Sequence, residues 1–290
     1  MSDKEIDKIS GTETTGHEWD GIKELNTPLP RWWLWTFYAC IVWAIGYAIA
    51  YPAIPLVSGA TKGILGYSSR GELAASVEKA KAAQSVFLDE ITATDVTDIV
   101  ADEKLARFAR AGGASAYKVY CSQCHGSGAQ GAAGYPNLND DEWIWGGSVE
   151  AIYATISHGV RYDADDDTRL NEMPSFGRDE LLESEQIVAV ANYVASLSGG
   201  EAQSSLLSEG HELFTENCAA CHGDEGEGLA ELGGPALNNA IWLYGDSSVE
   251  ALVAQINAPK HGVMPAWNAK LGDNVVKQLA VYVHGLGGGQ

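Results

Sequence analysis

The chain has 290 residues, five cysteines and a formal net charge of −21. That length suffices for two small domains plus an extension. The acidity excludes nonspecific nucleic-acid binding, which needs a basic face, and the cysteine spacing implies no disulfide framework.

Residues 1–31 are polar, carry more acidic than basic groups and have no apolar periodicity able to bury a core, so a short exposed arm is expected. Residues 32–51, Trp32 to Tyr51, are free of charge. As a helix rising about 1.5 Å per residue they span the roughly 30 Å hydrocarbon layer, which predicts one N-terminal transmembrane helix. Trp32, Trp33 and Trp35 follow Arg31 at one end and Tyr47 and Tyr51 lie near the other, where interfacial aromatics belong. Pro52 and Pro55 stop the helix, and Cys40 within it serves as a small apolar side chain. A cleaved signal peptide is the rival reading, since Ala48-Ile49-Ala50 resembles a cleavage site. The long polar leader and an apolar run beyond the about 7 to 15 residues of a signal peptide favour a retained anchor. Lys23 and Arg31 on one side and Lys62 and Arg70 on the other leave the orientation undecided.

Residues 52–112 read as a stalk and helical spacer. Ser69 with Glu72 makes a capping-box start for a helix through Ala74, Val77, Ala80 and Ala83. A second helical pattern around Leu105 to Arg110 is expected to end at Gly112-Gly113. The Ala/Lys/Glu content favours helix over a flexible tether.

Cys121-Ser122-Gln123-Cys124-His125 then recurs as Cys218-Ala219-Ala220-Cys221-His222. In C-x-x-C-H two thiols add covalently to the vinyl groups of a haem, and the adjacent histidine is placed to take the iron. A redox C-x-x-C does not need the histidine, and a zinc site would have to recruit further Cys or His ligands from elsewhere. Two covalently bound haem c groups are therefore expected, on Cys121, Cys124, Cys218 and Cys221, with His125 and His222 as proximal ligands. Covalent attachment of haem c in bacteria belongs to the outer side of the inner membrane. The residues after Tyr51 are thus expected to be periplasmic and residues 1–31 cytoplasmic.

The repeat extends beyond the motifs. Tyr117 and Tyr120 precede the first as His211 and Phe214 precede the second. Tyr135-Pro136-Asn137-Leu138-Asn139 corresponds to Gly234-Pro235-Ala236-Leu237-Asn238, Trp143-Ile144-Trp145-Gly146 to Trp242-Leu243-Tyr244-Gly245, and Ser148-Val149-Glu150-Ala151 to Ser248-Val249-Glu250-Ala251. Both halves reach Met-Pro and close with an amphipathic helix, with Ile187, Val190, Ala191 and Val194 on one face and Val275, Val276, Leu279 and Val283 on the other's. The whole looks like a mainly α chain ending in two tandem class I cytochrome c domains, residues 113–200 and 204–290. In that fold an aromatic on the last helix packs against the first, and Tyr193 and Tyr282 match.

Met173 and Met264 are the only methionines after Met1, and each precedes a proline. Pairing one with each haem motif argues for sulfur as the sixth ligand, a choice that raises the potential and suits electron transfer. Sequential order assigns each methionine to its own repeat, whereas two domains packed face to face could exchange them. His158 and His261, each in His-Gly-Val, are the rival sixth ligands; the bland reading makes them polar residues at a helix end. Trp143, Trp145, Trp242 and Tyr244 are expected to pack the haem crevice. The insertion Tyr162-Asp163-Ala164-Asp165-Asp166-Asp167 lacks the glycine and glutamate of a calcium loop and reads as a solvated acidic loop that could steer a partner.

A more specific resemblance lies at the N-terminus. His17 to Trp35, running into Phe37-Tyr38 and ending with Tyr51-Pro52, closely resembles the N-terminal anchor of the dihaem subunit of cbb3-type cytochrome c oxidases, and the haem motifs extend that likeness over nearly the whole chain. The resemblance implies a non-catalytic electron-transfer subunit in the bacterial inner membrane. It would accept electrons from a periplasmic cytochrome c, expected to be basic, and pass them toward a monohaem cytochrome subunit and the haem-copper catalytic subunit. A free-standing anchored shuttle, the cytochrome subunit of a periplasmic dehydrogenase, and a dihaem peroxidase are the alternatives.

Overall fold

In the computed structural model, which describes residues 5–287, the polar leader is folded. β1 (Thr14–Trp19) and β2 (Ile22–Leu25) pair antiparallel. Trp19 faces Ile22 across the two-residue loop Asp20-Gly21, whose φ angles of 49° and 85° lie in the left-handed region that a type I′ turn requires. Thr14 is buried, its Oγ1 accepting from the Glu5 N–H at 3.2 Å, and the Trp19 Nε1–H donates to Glu24. The arm is exposed as expected, Thr14 being the one buried residue among residues 5–31, but it is folded: Asp-Gly between two short β-prone runs is a hairpin signal that apolar periodicity does not register.

α1 (Arg31–Ala50) starts at Arg31 and carries the charge-free run from Trp32 onward as the expected helix, capped by Tyr51 and followed by the short hairpin β3 (Pro55–Leu56) and β4 (Gly59–Ala60). None of its residues is buried. α2 spans Ser69–Ala93, and Ser68 rather than Ser69 accepts from the first turn, at Gly71 N–H. The chain divides into two units between Ala83 and Gln84.

The second unit contains α3 (Val96–Ala101), α4 (Glu103–Tyr120), α5 (Ser122–His125), α6 (Val149–His158) and α7 (Ser184–Leu197). It continues with α8 (Leu207–Asn217), α9 (Ala219–His222), α10 (Val249–Asn257), α11 (Asn268–Leu271) and α12 (Asp273–His284). Equivalent serines start α6 and α10: Ser148 Oγ accepts from Ala151 N–H and Ser248 Oγ from Ala251 N–H. Residues 87–101, read from sequence as spacer, join a core instead. Ile91 and Ile99 are fully buried in it, and Phe87 stacks on Phe108.

Each core draws on both repeats. The first combines Leu105, Ala109 and Tyr117 of α4, Ile152 and Ile156 of α6, and Val276, Leu279 and Val283 of α12. The second combines Ile187, Val190 and Val194 of α7, Phe214 of α8, and Leu252 and Ile256 of α10. Thus α4 and α6 pack on α12, while α7 packs on α8 and α10. The expected aromatic contact between last and first helices is present, but across repeats. Tyr282 meets Tyr117 with ring centroids 5.4 Å apart, and Tyr193 meets Phe214 at 5.2 Å.

Glycine makes both crossings possible. A Cβ on Gly113 would lie 2.6 Å from Tyr282 Cβ and collide with the Gln278 carbonyl; one on Gly210 would lie 2.8 Å from Tyr193 Cβ and collide with the Ala189 carbonyl. α4 therefore does not end at Gly112-Gly113, as expected from sequence, but runs through them, because close backbone approach outweighs the about 1 kcal/mol that a mid-helix glycine costs. Gly113→Ala should destabilise the first core by about 1–3 kcal/mol through overpacking, and Gly210→Ala the second. Denaturant unfolding checks this, and a chain ending at Gly272, without α12, should lose structure around Cys121 before Cys218.

Candidate haem site

Each motif sits on a single helical turn directly after a long helix. Tyr117 and Phe214, four residues ahead of Cys121 and Cys218, are fully buried and anchor those helices. The His125 N–H and His222 N–H close the turns on the carbonyls of Cys121 (2.9 Å) and Cys218 (3.0 Å). Downstream, Gly131 N–H donates to the His125 carbonyl and Gly228 N–H to that of His222, at 2.8 and 2.7 Å.

The proline segments matched by sequence orient the imidazoles. His125 Nδ1–H donates to the Pro136 carbonyl at 2.9 Å, and His222 Nδ1–H to the Pro235 carbonyl at 2.8 Å. With Nδ1 carrying the proton, Nε2 keeps its lone pair, the arrangement a ligating histidine needs. Burial pushes both imidazoles below the usual histidine range, which keeps them neutral. It also pushes the Cys121 and Cys218 thiols up to about 11. None of the four motif cysteines is tied up in a disulfide.

One cavity of about 640 Å³ is lined by both motifs, by Met173 and Met264, and by the aromatics Trp143, Trp145, Trp242 and Tyr244. The donor set and its apolar surroundings fit covalently held haem: paired thiols, a neutral imidazole of fixed tautomer, and a thioether. Met264 packs against the core that contains Cys121, and Met173 against the core that contains Cys218.

The methionine loops are docked symmetrically. Met264 exchanges two backbone hydrogen bonds with Val160, at 2.9 and 3.0 Å, and Trp267 N–H donates to the carbonyl of Ile156 in α6. On the other side Phe176 N–H donates to the carbonyl of Ile256 in α10 and Arg178 N–H to that of Asn257. Each loop so caps the helix belonging to the opposite repeat.

His158 and His261, paired in sequence, occupy different environments. His158 ends α6 with Nδ1 3.1 Å from Asp165 Oδ1, whereas His261 lies beyond α10 and its Nε2 accepts from Met173 N–H at 3.2 Å. The acidic insertion is less free than expected. His158, Asp165 and Asp167 lie close enough to group around a cation, but Asp165 Oδ1 already accepts from His158 and from Asp167 N–H. Sequence reasoning missed Arg161 and Arg169, two half-buried cations beside the cavity. Arg169 lies over Trp145, 5.2 Å from the ring centroid, and donates to Thr155 Oγ1 and the Ala151 carbonyl. No local sequence pattern marks either.

Comparison with known proteins agrees with this architecture. Residues 11–58 match the N-terminal domain of cytochrome oxidase-cbb3, FixP, and residues 109–194 and 205–283 each match cytochrome c oxidase, cbb3-type, subunit III. The chain is 57% identical over the full length of both proteins to the cbb3-type cytochrome c oxidase subunit FixPc of Rhizobium leguminosarum bv. viciae. It is 50% identical, again over both full lengths, to subunit CcoP of Azospirillum brasilense. Subunit CcoP of Cereibacter sphaeroides is 49% identical, covering 96% of this chain and 95% of that one. With the anchor segment, two haem-attachment repeats and full-length likeness in one chain, this protein belongs to the subunit III family of cbb3-type cytochrome c oxidases.

Proposed function

We propose that this chain is the membrane-anchored dihaem electron-transfer subunit of a cbb3-type oxidase, carrying one covalent haem c on Cys121 and Cys124 and a second on Cys218 and Cys221. The observation that carries the reading is the single apolar cavity on which both motifs and both methionines converge. Each haem, when bound, supplies a one-electron ferric/ferrous couple. The chain's own residues set its conditions. His125 and His222 are the proximal ligands, oriented by the Pro136 and Pro235 carbonyls. On the distal side Met264 would hold the haem of His125 and Met173 that of His222, because Met264 packs with Cys121 against the first core and Met173 packs against the second, which contains Cys218. A haem held by an imidazole and a thioether would keep no position open to outside ligands, and the apolar surroundings would disfavour the extra charge of the ferric state. Both effects favour electron carriage over the ligand chemistry of a peroxidase.

α1 is the single membrane span: twenty helical residues, none buried by the chain itself, call for lipid or partner helices around them. The hairpin β1–β2 is cytoplasmic and the haem region periplasmic. Electrons enter from a basic periplasmic cytochrome c and leave toward the monohaem cytochrome subunit and the haem-copper catalytic subunit.

A pyridine haemochrome assay on purified protein should return two haems that resist acid-acetone extraction, and Cys121→Ser or Cys218→Ser should each remove one. Crossed ligation is tested in a protein lacking the first haem, made by Cys121→Ser with Cys124→Ser. There Met173→His should abolish the sulfur-to-iron charge-transfer band of the remaining haem while Met264→His leaves it intact; the reverse result refutes the crossing. Reduction by a basic cytochrome c should slow steeply as salt rises toward 0.1 M, where screening acts beyond about 10 Å. A salt-independent rate would mean that the acidity only solubilises.

A further inference from the structure

Arg161 stands out among the residues around the cavity. Its backbone has φ 51°, in the left-handed region that favours glycine, so an arginine is held there by its surroundings. The side chain is half-buried, and its donors go to main-chain oxygens. Nε–H donates to the Gly262 carbonyl at 2.8 Å and an Nη1–H to the Asn171 carbonyl at 3.0 Å. Gly262 lies two residues before Met264 and Asn171 two residues before Met173, so one planar guanidinium bridges the approaches to both methionines.

Other bonds run between the same segments. Val160, next to Arg161, pairs in both directions with the backbone of Met264. Met173 N–H donates to His261 Nε2, and Asn171 Nδ2–H donates to the Leu232 carbonyl at 2.6 Å. The Met173 loop is thereby fastened to His261, three residues before Met264, and to the Leu232 segment, while Arg161 donates to both methionine loops. Its five N–H donors in a rigid fork suit it to two acceptors at once; a lysine ammonium carries the same charge on a flexible stem without that geometry.

We propose that Arg161 is a positioning residue that clamps the Met173 and Met264 loops together and so couples the distal sides of the two haem sites. The coupling of haems rests on the methionine ligation argued above; the clamp itself does not. Loosening the guanidinium frees both loops, where a residue serving one site would free one.

The test uses the full-length protein with both haems attached, in detergent. Arg161→Gly deletes the fork at a backbone position that glycine accepts without strain, and Arg161→Lys keeps the charge but not the two-pronged geometry. Amide hydrogen exchange should speed up in Arg161→Gly over both the 171–176 and the 260–267 segments, with a smaller acceleration in Arg161→Lys. The sulfur-to-iron band should weaken at both haems, and carbon monoxide should gain access to both in the reduced protein. Faster exchange in only one segment, or none, overturns the clamp, as does Arg161→Lys behaving like the unaltered protein. Should Met173→His and Met264→His leave the band untouched, the ligation reading fails, and the exchange measurement still decides the clamp.

Discussion

Two glycine-permitted helix crossings determine how the haem region is built. Where α4 meets α12 and where α8 meets α7, backbone approaches backbone at Gly113 and Gly210, and an aromatic from the facing helix, Tyr282 of α12 or Tyr193 of α7, seats beside the glycine. Once those partners are chosen, the connecting segments have no freedom. The loop before α12 must cross to α6, carrying Met264 to the first motif, and the loop before α7 must cross to α10, carrying Met173 to the second. The two repeats are adjacent in sequence and interleaved in space, and neither core closes without residues from both.

The sites so formed share parts but differ in setting. In each, a proline carbonyl fixes the imidazole tautomer and burial holds it neutral. Cys218 and His222 are buried, whereas Cys121 and His125 are only partly so. Solvent exposure is one of the levers by which a protein sets haem potential, so on the proposal of one haem at each motif the two would differ in setting. The acidic insertion and its His158–Asp165 pair, present in one repeat alone, add to the difference.

What sequence made legible was local. The charge-free run of α1 forms a helix as its composition implied, and the segments matched across the repeat, residues 135–139 with 234–238 and 148–151 with 248–251, occupy equivalent places beside the histidines and at the starts of α6 and α10. Partner choice was not legible, because periodicity identifies which face of α7 or α12 is apolar but not which helix covers it; the repeats present interchangeable faces. Gly112-Gly113 was misread for a related reason, since a glycine pair that ends a helix and one that lets another helix approach look alike until the second helix is known. The Asp20-Gly21 hairpin was readable and overlooked, being a turn signal in a stretch judged by hydrophobicity. Arg161 left no trace in sequence, because its partners are backbone carbonyls some ten and one hundred residues away.

Interleaving also fixes an order of assembly. A chain synthesised from its N-terminus presents the Cys121 motif first, yet the core against which that motif packs needs α12, the last helix among the described residues. The second core needs nothing beyond α10, so it closes earlier although its motif emerges later. Long-range closure of this kind is slow to form, which leaves the first pair of thiols on open chain for the longest time. The motif translated first is the last to be enclosed, which on the proposed reading would leave it the longer interval for covalent attachment of haem.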